Sequence, residues 1–77
     1  MSDISLITTD WMHDLDDIRA VRKTVFIQEQ NVPEQEEWDH WDPVSQHILA
    51  YHANRDAVGT ARVQPDGKIT RMAVLAA

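Results

Sequence analysis

The stretch ITRMAVLAA, residues 69–77, decides the fold of this chain. Its last six residues, 72–77, are consecutive and apolar. Such a run is typical of a strand covered on both faces, because a strand with one face in water alternates apolar and polar residues. The stretch therefore predicts a strand over 68–75 that needs another element packed against each of its two faces.

Three further strands are predicted upstream. Residues 47–53 and 57–64 are strand-like, and the sequences Asn-Arg-Asp and Pro-Asp-Gly between the strands are turn-like. Residues 4–8 form a short β-branched run that favours an opening strand. Because short connections join neighbouring strands in opposite directions, we expect a mainly antiparallel sheet.

An amphipathic helix is predicted between the first strand and the second. Apolar residues recur at helical spacing and should face the core: Leu15, Ile18, Val21, Val25 and Phe26. The acids Asp14, Asp16 and Asp17 suit the positive end of the helix dipole. Three basic residues are expected to point away from the core: Arg19, Arg22 and Lys23. Asn31 and Pro33 should end the helix, since proline disfavours helical backbone in the residue before it.

A second, short helix is predicted over residues 34–41. Trp38 and Trp41 lie three residues apart and would share one face of it. Hydrophobic anchoring of this polar segment is the simpler interpretation of the two tryptophans, and stacking on a ligand is the alternative.

Only one cover for the sheet is evident. The long helix can cover one face of the last strand, but the sequence offers no second long amphipathic segment for the other face, and the strand would lie at an exposed edge. We therefore expect the chain to behave as an incomplete unit that associates with itself through the last strand.

Composition narrows the classes of function. The chain has 77 residues, 43% hydrophobic and 26% charged, which indicates one folded domain. It contains no cysteine, which excludes disulfides and thiol catalysis and fits the cytoplasm. The formal charge of -6 argues against nucleic acid as a partner. Neither a signal peptide nor a membrane span is indicated near the N-terminus, and the histidines show no metal-ligand spacing.

An ordered set of motifs resembles one known family. These motifs are EQ-x-VP at Glu29 to Pro33, acid and tryptophan over residues 37–39, His47, and then VGTARV and RMAV. Together they resemble a branch of small bacterial proteins of the GNAT superfamily of N-acetyltransferases. The resemblance implies an α/β fold, the N-terminal half of the GNAT fold, ordered strand-helix-helix-strand-strand-strand. Residues 1–77 would form a partial acetyltransferase domain that stops before the pyrophosphate-binding loop.

The same resemblance implies a function and a cofactor. In the family, an amine attacks the thioester of acetyl-CoA, whose pantetheine arm pairs with the fourth strand. By that resemblance, main-chain groups of Met72, Ala73 and Val74 would bind acetyl-CoA. Because the Gly-rich pyrophosphate turn would follow Ala77, residues 1–77 alone are not expected to bind the cofactor tightly.

Direct transfer requires a group that takes a proton from the attacking ammonium. The candidates are Glu29 at the end of the helix, Glu37 and Asp39 in the acidic segment, and His47 at the start of its strand. For each of them, helix capping or surface solvation is the competing interpretation.

The acceptor is expected to be a primary amine on a small molecule or peptide, and the acidic segment favours a cationic one. The alternative is a truncated, non-catalytic module that binds or oligomerises.

Overall fold

The computed structural model describes residues 3–53 and 56–75. The elements follow the predicted order: β1 (Ile4–Asp10), α1 (Leu15–Arg22), a π-helical segment (Lys23–Glu29), α2 (Glu34–Glu37), β2 (Gln46–His52), β3 (Asp56–Val63) and β4 (Ile69–Val74). Of the two predicted turns, Pro65 to Gly67 joins β3 to β4, and Gly67 has the positive φ of 89° that the turn requires. Asn54 and Arg55 of the other turn lie outside the described residues.

The strands form an antiparallel sheet in the order β1-β2-β3-β4, which confirms the predicted fold class. Leu49 of β2 pairs with Ile7 of β1 and with Thr60 of β3, and Thr60 in turn pairs with Ala73 of β4. Within the part of the chain that the structure describes, β4 pairs with β3 alone and so forms one edge of the sheet.

The core lies between α1 and one face of this sheet. Its most buried apolar side chains are Ile18, Val21, Val25, Leu49 and Ala73. The apolar helical positions Ile18, Val21 and Val25 are thus confirmed as the core face. The orientation predicted for Arg22 was wrong: its side chain is only 1% exposed. Because Arg22 follows Ile18 by four residues, it lies on the same helix face.

The predicted long helix changes form after Arg22. Lys23–Glu29 is π-helical, and Gln30 N donates to Val25 O at 3.1 Å, the i→i−5 bond of a π-helix. Asn31 then takes a left-handed φ of 59°, a conformation that asparagine tolerates better than most residues. The end predicted at Asn31 and Pro33 therefore agrees with the structure.

The short second helix was predicted too long. α2 spans only Glu34–Glu37, and Trp38 has extended backbone with φ −90° and ψ 128°. Trp38 and Trp41 consequently do not share a helix face. The segment leaves the helix at Trp38 because Glu37, Asp39 and Asp42 turn inward to buried arginines that lie far away in the sequence.

The second face of the sheet carries exposed apolar side chains. Leu6 of β1 and Val74 of β4 are each 70% exposed, and they border a shallow apolar groove together with Ile48 and Ala50. Ala73, the residue before Val74 in β4, is buried and packs in one cluster with Val21 and Val25 on the side of α1. The predicted strand thus has one covered face and one open face in the described residues; Ala76 and Ala77 lie outside them.

Among the described residues, no helix combines the length and the apolar composition needed to cross a bilayer.

Candidate functional site

Arg22 holds the acidic segment from the side of α1. Its Nε donates to Glu37 Oε2 at 2.8 Å, its Nη2 donates to the Glu37 carbonyl at 2.8 Å, and its Nη1 donates to Asp42 Oδ1 at 2.7 Å. All three side chains are nearly inaccessible to solvent. Carboxylates buried in this way require charged partners, so one arginine determines where two of the acids lie.

Arg62 holds the same segment from β3. Its Nη1 donates to Asp39 Oδ1 at 2.6 Å and to Asp42 Oδ1 at 2.9 Å, and its Nε donates to Thr70 Oγ1 at 3.0 Å. Asp42 therefore accepts hydrogen bonds from two arginines that belong to different layers of the fold. Helix and sheet are joined through its carboxylate.

The pKa of Asp42 reflects two opposing effects, its burial and its hydrogen bonds. Burial alone would raise the pKa of Asp42, but hydrogen bonds from Arg22, from the Asp39 N–H and from Arg62, with the positive charge of Arg22, lower it below its ordinary value. The carboxylate is therefore ionised at neutral pH.

His47 lies beneath this network with its ring completely buried. Its Nε2 is 2.9 Å from the Asp42 carbonyl, which can only accept a hydrogen bond, so Nε2 carries the proton. Burial lowers the pKa of His47, against smaller opposing effects of Asp42. The imidazole is therefore neutral at physiological pH, and within the described residues its Nδ1 has no hydrogen-bond partner.

Aromatic rings close the network towards α1. Arg22 lies 5.6 Å from the ring centre of Trp11 and 4.9 Å from that of Trp38, and Arg19 lies 5.1 Å from Trp38 on the outside. Trp11 also packs against the His47 ring at 5.4 Å. Of the two interpretations of Trp38, the structure places it as an anchor against arginines.

β4 is bulged at Arg71. Between the pair Thr60–Ala73 and the pair Arg62–Thr70, β3 advances by two residues while β4 advances by three. Arg71 takes a left-handed φ of 53°, which is uncommon for a residue with a Cβ atom. Bulges of this kind redirect side chains and are frequent next to active sites.

From the bulge, the Arg71 side chain reaches back to the acidic segment. Its Nε lies 3.2 Å from Glu37 Oε2, and its Nη2 lies 3.2 Å from Asp39 Oδ2. Both nitrogens also lie 3.4 Å from the Glu37 carbonyl. Arg71 thus links the edge strand to the same two acids that Arg22 and Arg62 hold from within.

A cleft of about 310 Å³ lies between these elements. Its walls are Phe26 of the π-helical segment, Val32 after it, and Met72 of β4, and its charged lining residues are Glu37 and Arg71. The cleft therefore combines apolar walls with one ion pair, a composition suited to a small organic molecule with a polar group.

The main chain of β4 is available next to this cleft. Leu75 N donates to Val58 O at 2.8 Å, so the main chain of Leu75 faces β3. Adjacent residues of a strand direct their N–H and C=O groups to opposite sides, so Val74 directs its own towards the open edge.

The predicted site residues fall into different places. Glu37 and Met72 line the cleft, whereas Asp39 and His47 belong to the network behind it. Glu29 lies exposed at the end of the π-helical segment, and none of the contacts of the network involves it. The structure brings together Glu37, Asp39 and His47 and leaves Glu29 apart.

Sequence reasoning missed the basic members of the network, Arg22, Arg62 and Arg71. A signal was present: an acidic segment that returns to an apolar sheet needs cations wherever it is buried. Arg62 is also a charged residue between two apolar ones, Ala61 and Val63, inside a predicted strand. Among residues 3–53 and 56–75, no cluster of His, Asp and Glu side chains is arranged to hold a metal ion.

Comparison with known proteins gives a consistent result. A family model described as "Acetyltransferase (GNAT) domain" matches residues 21–77. Two Bacillus subtilis proteins are similar in sequence. "Putative acetyltransferase BSU40680" is 44% identical over 68 residues, 80% of this chain and 46% of that protein. "Uncharacterized protein YyaT" is 41% identical over 78 residues, 94% of this chain and 51% of that protein.

A solved structure shares the fold. The crystal structure of a Lactobacillus plantarum protein, titled as a putative N-acetyltransferase, superposes with a TM-score of 0.80 at 18% identity, over 94% of this chain and 53% of that one. The chain spans about half the length of the relatives that it matches.

Proposed function

The chain belongs to the GNAT acetyltransferase family, and from that premise we propose that it is the acceptor-side half of an acetyl-CoA-dependent N-acetyltransferase that modifies a primary amine. The observation that carries the proposal is the bulged edge strand β4 beside the cleft lined by Glu37 and Arg71. The edge of β4, which suits an extended ligand, therefore lies next to a cleft that suits a small one.

The open edge of β4 fits the pantetheine arm of acetyl-CoA. Val74 directs main-chain donor and acceptor groups outward, and an extended amide-containing arm can pair with them as an added strand does. Met72 precedes it next to the bulge, whereas Ala73, which pairs with Thr60, directs its main-chain groups towards β3 by the same alternation. Bound there, acetyl-CoA would supply its acetyl thioester: the carbonyl carbon would bond to the amine nitrogen, the C–S bond would break, and CoA would leave as the thiolate.

The described residues do not include a site for the pyrophosphate. Gly59 lies in β3 and Gly67 in a turn, and neither begins a helix that could present free N–H groups. The proposal therefore assigns the pantetheine-binding strand and the acceptor cleft to this chain.

Within the cleft, Glu37 is the proposed partner of the amine. It is the only one of the four candidate acid–base residues among the cleft-lining residues described. An ammonium group in the cleft would approach a carboxylate whose Oε2 already lies 2.8 Å from Arg22 Nε and 3.2 Å from Arg71 Nε. It would do so against apolar walls, where a charged hydrogen bond is stronger than in water. Glu37 is therefore the first candidate for proton acceptor, and Asp39 and His47 are proposed to hold the segment that carries it.

The test uses the longest natural form of the protein that contains residues 1–77. Calorimetry with acetyl-CoA measures binding, and release of free thiol measures transfer to spermidine, benzylamine and lysine methyl ester as amine probes. We expect binding of acetyl-CoA and transfer to at least one probe. A protein that binds no acetyl-CoA would contradict the proposed function.

A further inference from the structure

Arg71 differs in position from the other two arginines of the network. Arg22 and Arg62 are buried inside the fold, whereas the Arg71 side chain is 29% exposed at the edge of the sheet. Removing Arg71 therefore leaves the buried part of the network intact, with Glu37 and Asp42 still bound by Arg22 and Asp39 still bound by Arg62.

The backbone of Arg71 lies at the bulge, and Arg71 is one of the residues that line the cleft. The left-handed φ of 53° turns this residue out of the regular alternation of the strand. Its guanidinium then forks between Glu37 Oε2 and Asp39 Oδ2, each at 3.2 Å. A planar guanidinium fixes direction as well as charge, which a lysine ammonium does not.

The two ends of this contact belong to different parts of the proposed reaction. Met72, Ala73 and Val74 directly follow Arg71 in β4, and Glu37 lines the cleft together with Arg71 and Met72. Because the side chain and the bulge belong to one residue, displacement of the strand displaces the acidic segment with it. This contact restricts the distance between β4, the strand proposed to bind acetyl-CoA, and the Glu37 carboxylate, the proposed partner of the amine.

We propose that Arg71 is a positioning residue that couples occupancy of the β4 edge by acetyl-CoA to the ordering of the acidic segment around Glu37 and Asp39. This inference rests on the proposed function. It assigns Arg71 no contact with the reacting atoms.

The test is hydrogen exchange of backbone amides in the natural protein, with and without acetyl-CoA. Arg71→Gly is the informative variant, because glycine adopts the positive φ without strain and so removes the side chain while keeping the bulge. Lys68→Ala is the matched control, since it removes one exposed cation from the same hairpin. Arg71→Lys keeps the charge and removes the fork.

Without ligand, exchange at residues 37–42 should be about tenfold faster in Arg71→Gly, as expected when hydrogen bonds to charged groups are lost. It should be intermediate in Arg71→Lys and unchanged in Lys68→Ala. With acetyl-CoA, wild type should gain protection at residues 72–74 and at residues 37–42. Arg71→Gly should gain it at residues 72–74 only.

Two results would overturn the inference. One is unchanged basal exchange at residues 37–42 in Arg71→Gly, and the other is wild-type protection of that segment when this variant binds acetyl-CoA. If Arg71→Gly does not fold, Arg71→Lys decides the question by the same comparison. Failure of the wild type to bind acetyl-CoA would instead contradict the proposed function, and the basal exchange rates would still test the contact.

Discussion

Arg22 Nη1 donates a hydrogen bond to Asp42 Oδ1 at 2.7 Å, and neither side chain is more than 2% exposed. The pair joins the last residue of α1 to the segment that precedes β2. Other hydrogen bonds of the network also end on one of these two residues, from or to Glu37, Asp39, His47 and Arg62. The pair is therefore the first place to test how much the network contributes to stability.

Replacing Arg22 with alanine should destabilise the fold strongly. Two buried carboxylates, Glu37 and Asp42, would lose their main partner, and breaking a buried ion pair costs about 3–5 kcal/mol. Urea denaturation followed by circular dichroism measures the change in the free energy of unfolding. Arg19→Ala is the control, since Arg19 is exposed on the same helix and contacts Trp38 only from outside. An equal decrease in the free energy of unfolding in the two variants would contradict a stabilising contribution from the buried network.

His47 should make the fold sensitive to mild acid. Because burial lowers the pKa of His47, the unfolded chain binds this proton first as the pH falls. The free energy of unfolding should therefore decrease as pH falls below the ordinary histidine pKa of about 6.5. His47→Gln should flatten this decrease, and His52→Gln, exposed on the same strand, should retain it. Parallel pH profiles for all three proteins would refute the prediction.

Tyr51 should make the stability of the fold depend on pH in the alkaline range. Its hydroxyl donates to Asp17 Oδ2 at 2.6 Å, and this hydrogen bond raises the pKa of Tyr51 to about 12. The unfolded chain loses this proton near its ordinary pKa of 10.0, so stability should fall as pH rises from 10 towards 12. Tyr51 is the only tyrosine, so ultraviolet absorbance reports its titration directly. In Asp17→Asn the midpoint should move back towards the ordinary value; an unmoved midpoint would exclude Asp17 as the cause.

Glu37→Gln should lower acetyl transfer in the natural protein by about 100-fold, the lower end of what a positioned proton acceptor contributes. Glu36→Gln is the control, because Glu36 is exposed in the same short helix. Calorimetry should show that acetyl-CoA still binds to both variants, and circular dichroism checks that both are folded. Equal turnover in the two variants would remove Glu37 from the reaction.

The polypeptide of residues 1–77 should self-associate through the edge and open face of β4. Val74 is 70% exposed there, beside the apolar groove that Leu6 and Ile48 also line. Val74→Lys should suppress association, because a charged side chain, especially lysine, is a common means of blocking an edge strand. Val44→Lys is the control, at a residue 60% exposed outside the sheet. A wild-type polypeptide that remains monomeric by light scattering at high concentration would contradict this.

Much of the fold could be predicted from local pattern. Alternating and apolar runs placed the strands, and the recurrence of Ile18, Val21 and Val25 placed the core face of α1, because these periods follow from backbone geometry. The end of α2 and the orientation of Arg22 could not be predicted in this way. Both depend on ion pairs between residues 15 to 23 positions apart, as in Arg22 with Glu37 and Arg62 with Asp39.

The sequence by itself predicted the order of elements, the antiparallel sheet and the family resemblance, and it named as candidates four residues that the structure brings to the cleft and its network: Glu37, Asp39, His47 and Met72. Only the tertiary structure decided that the acids are held by three arginines, that His47 lies behind them, and that Arg71 turns out of β4 to reach Glu37. The physical reason is that periodicity is a property of neighbouring residues, whereas a buried charge is tolerated only where folding brings an opposite charge to it from another element.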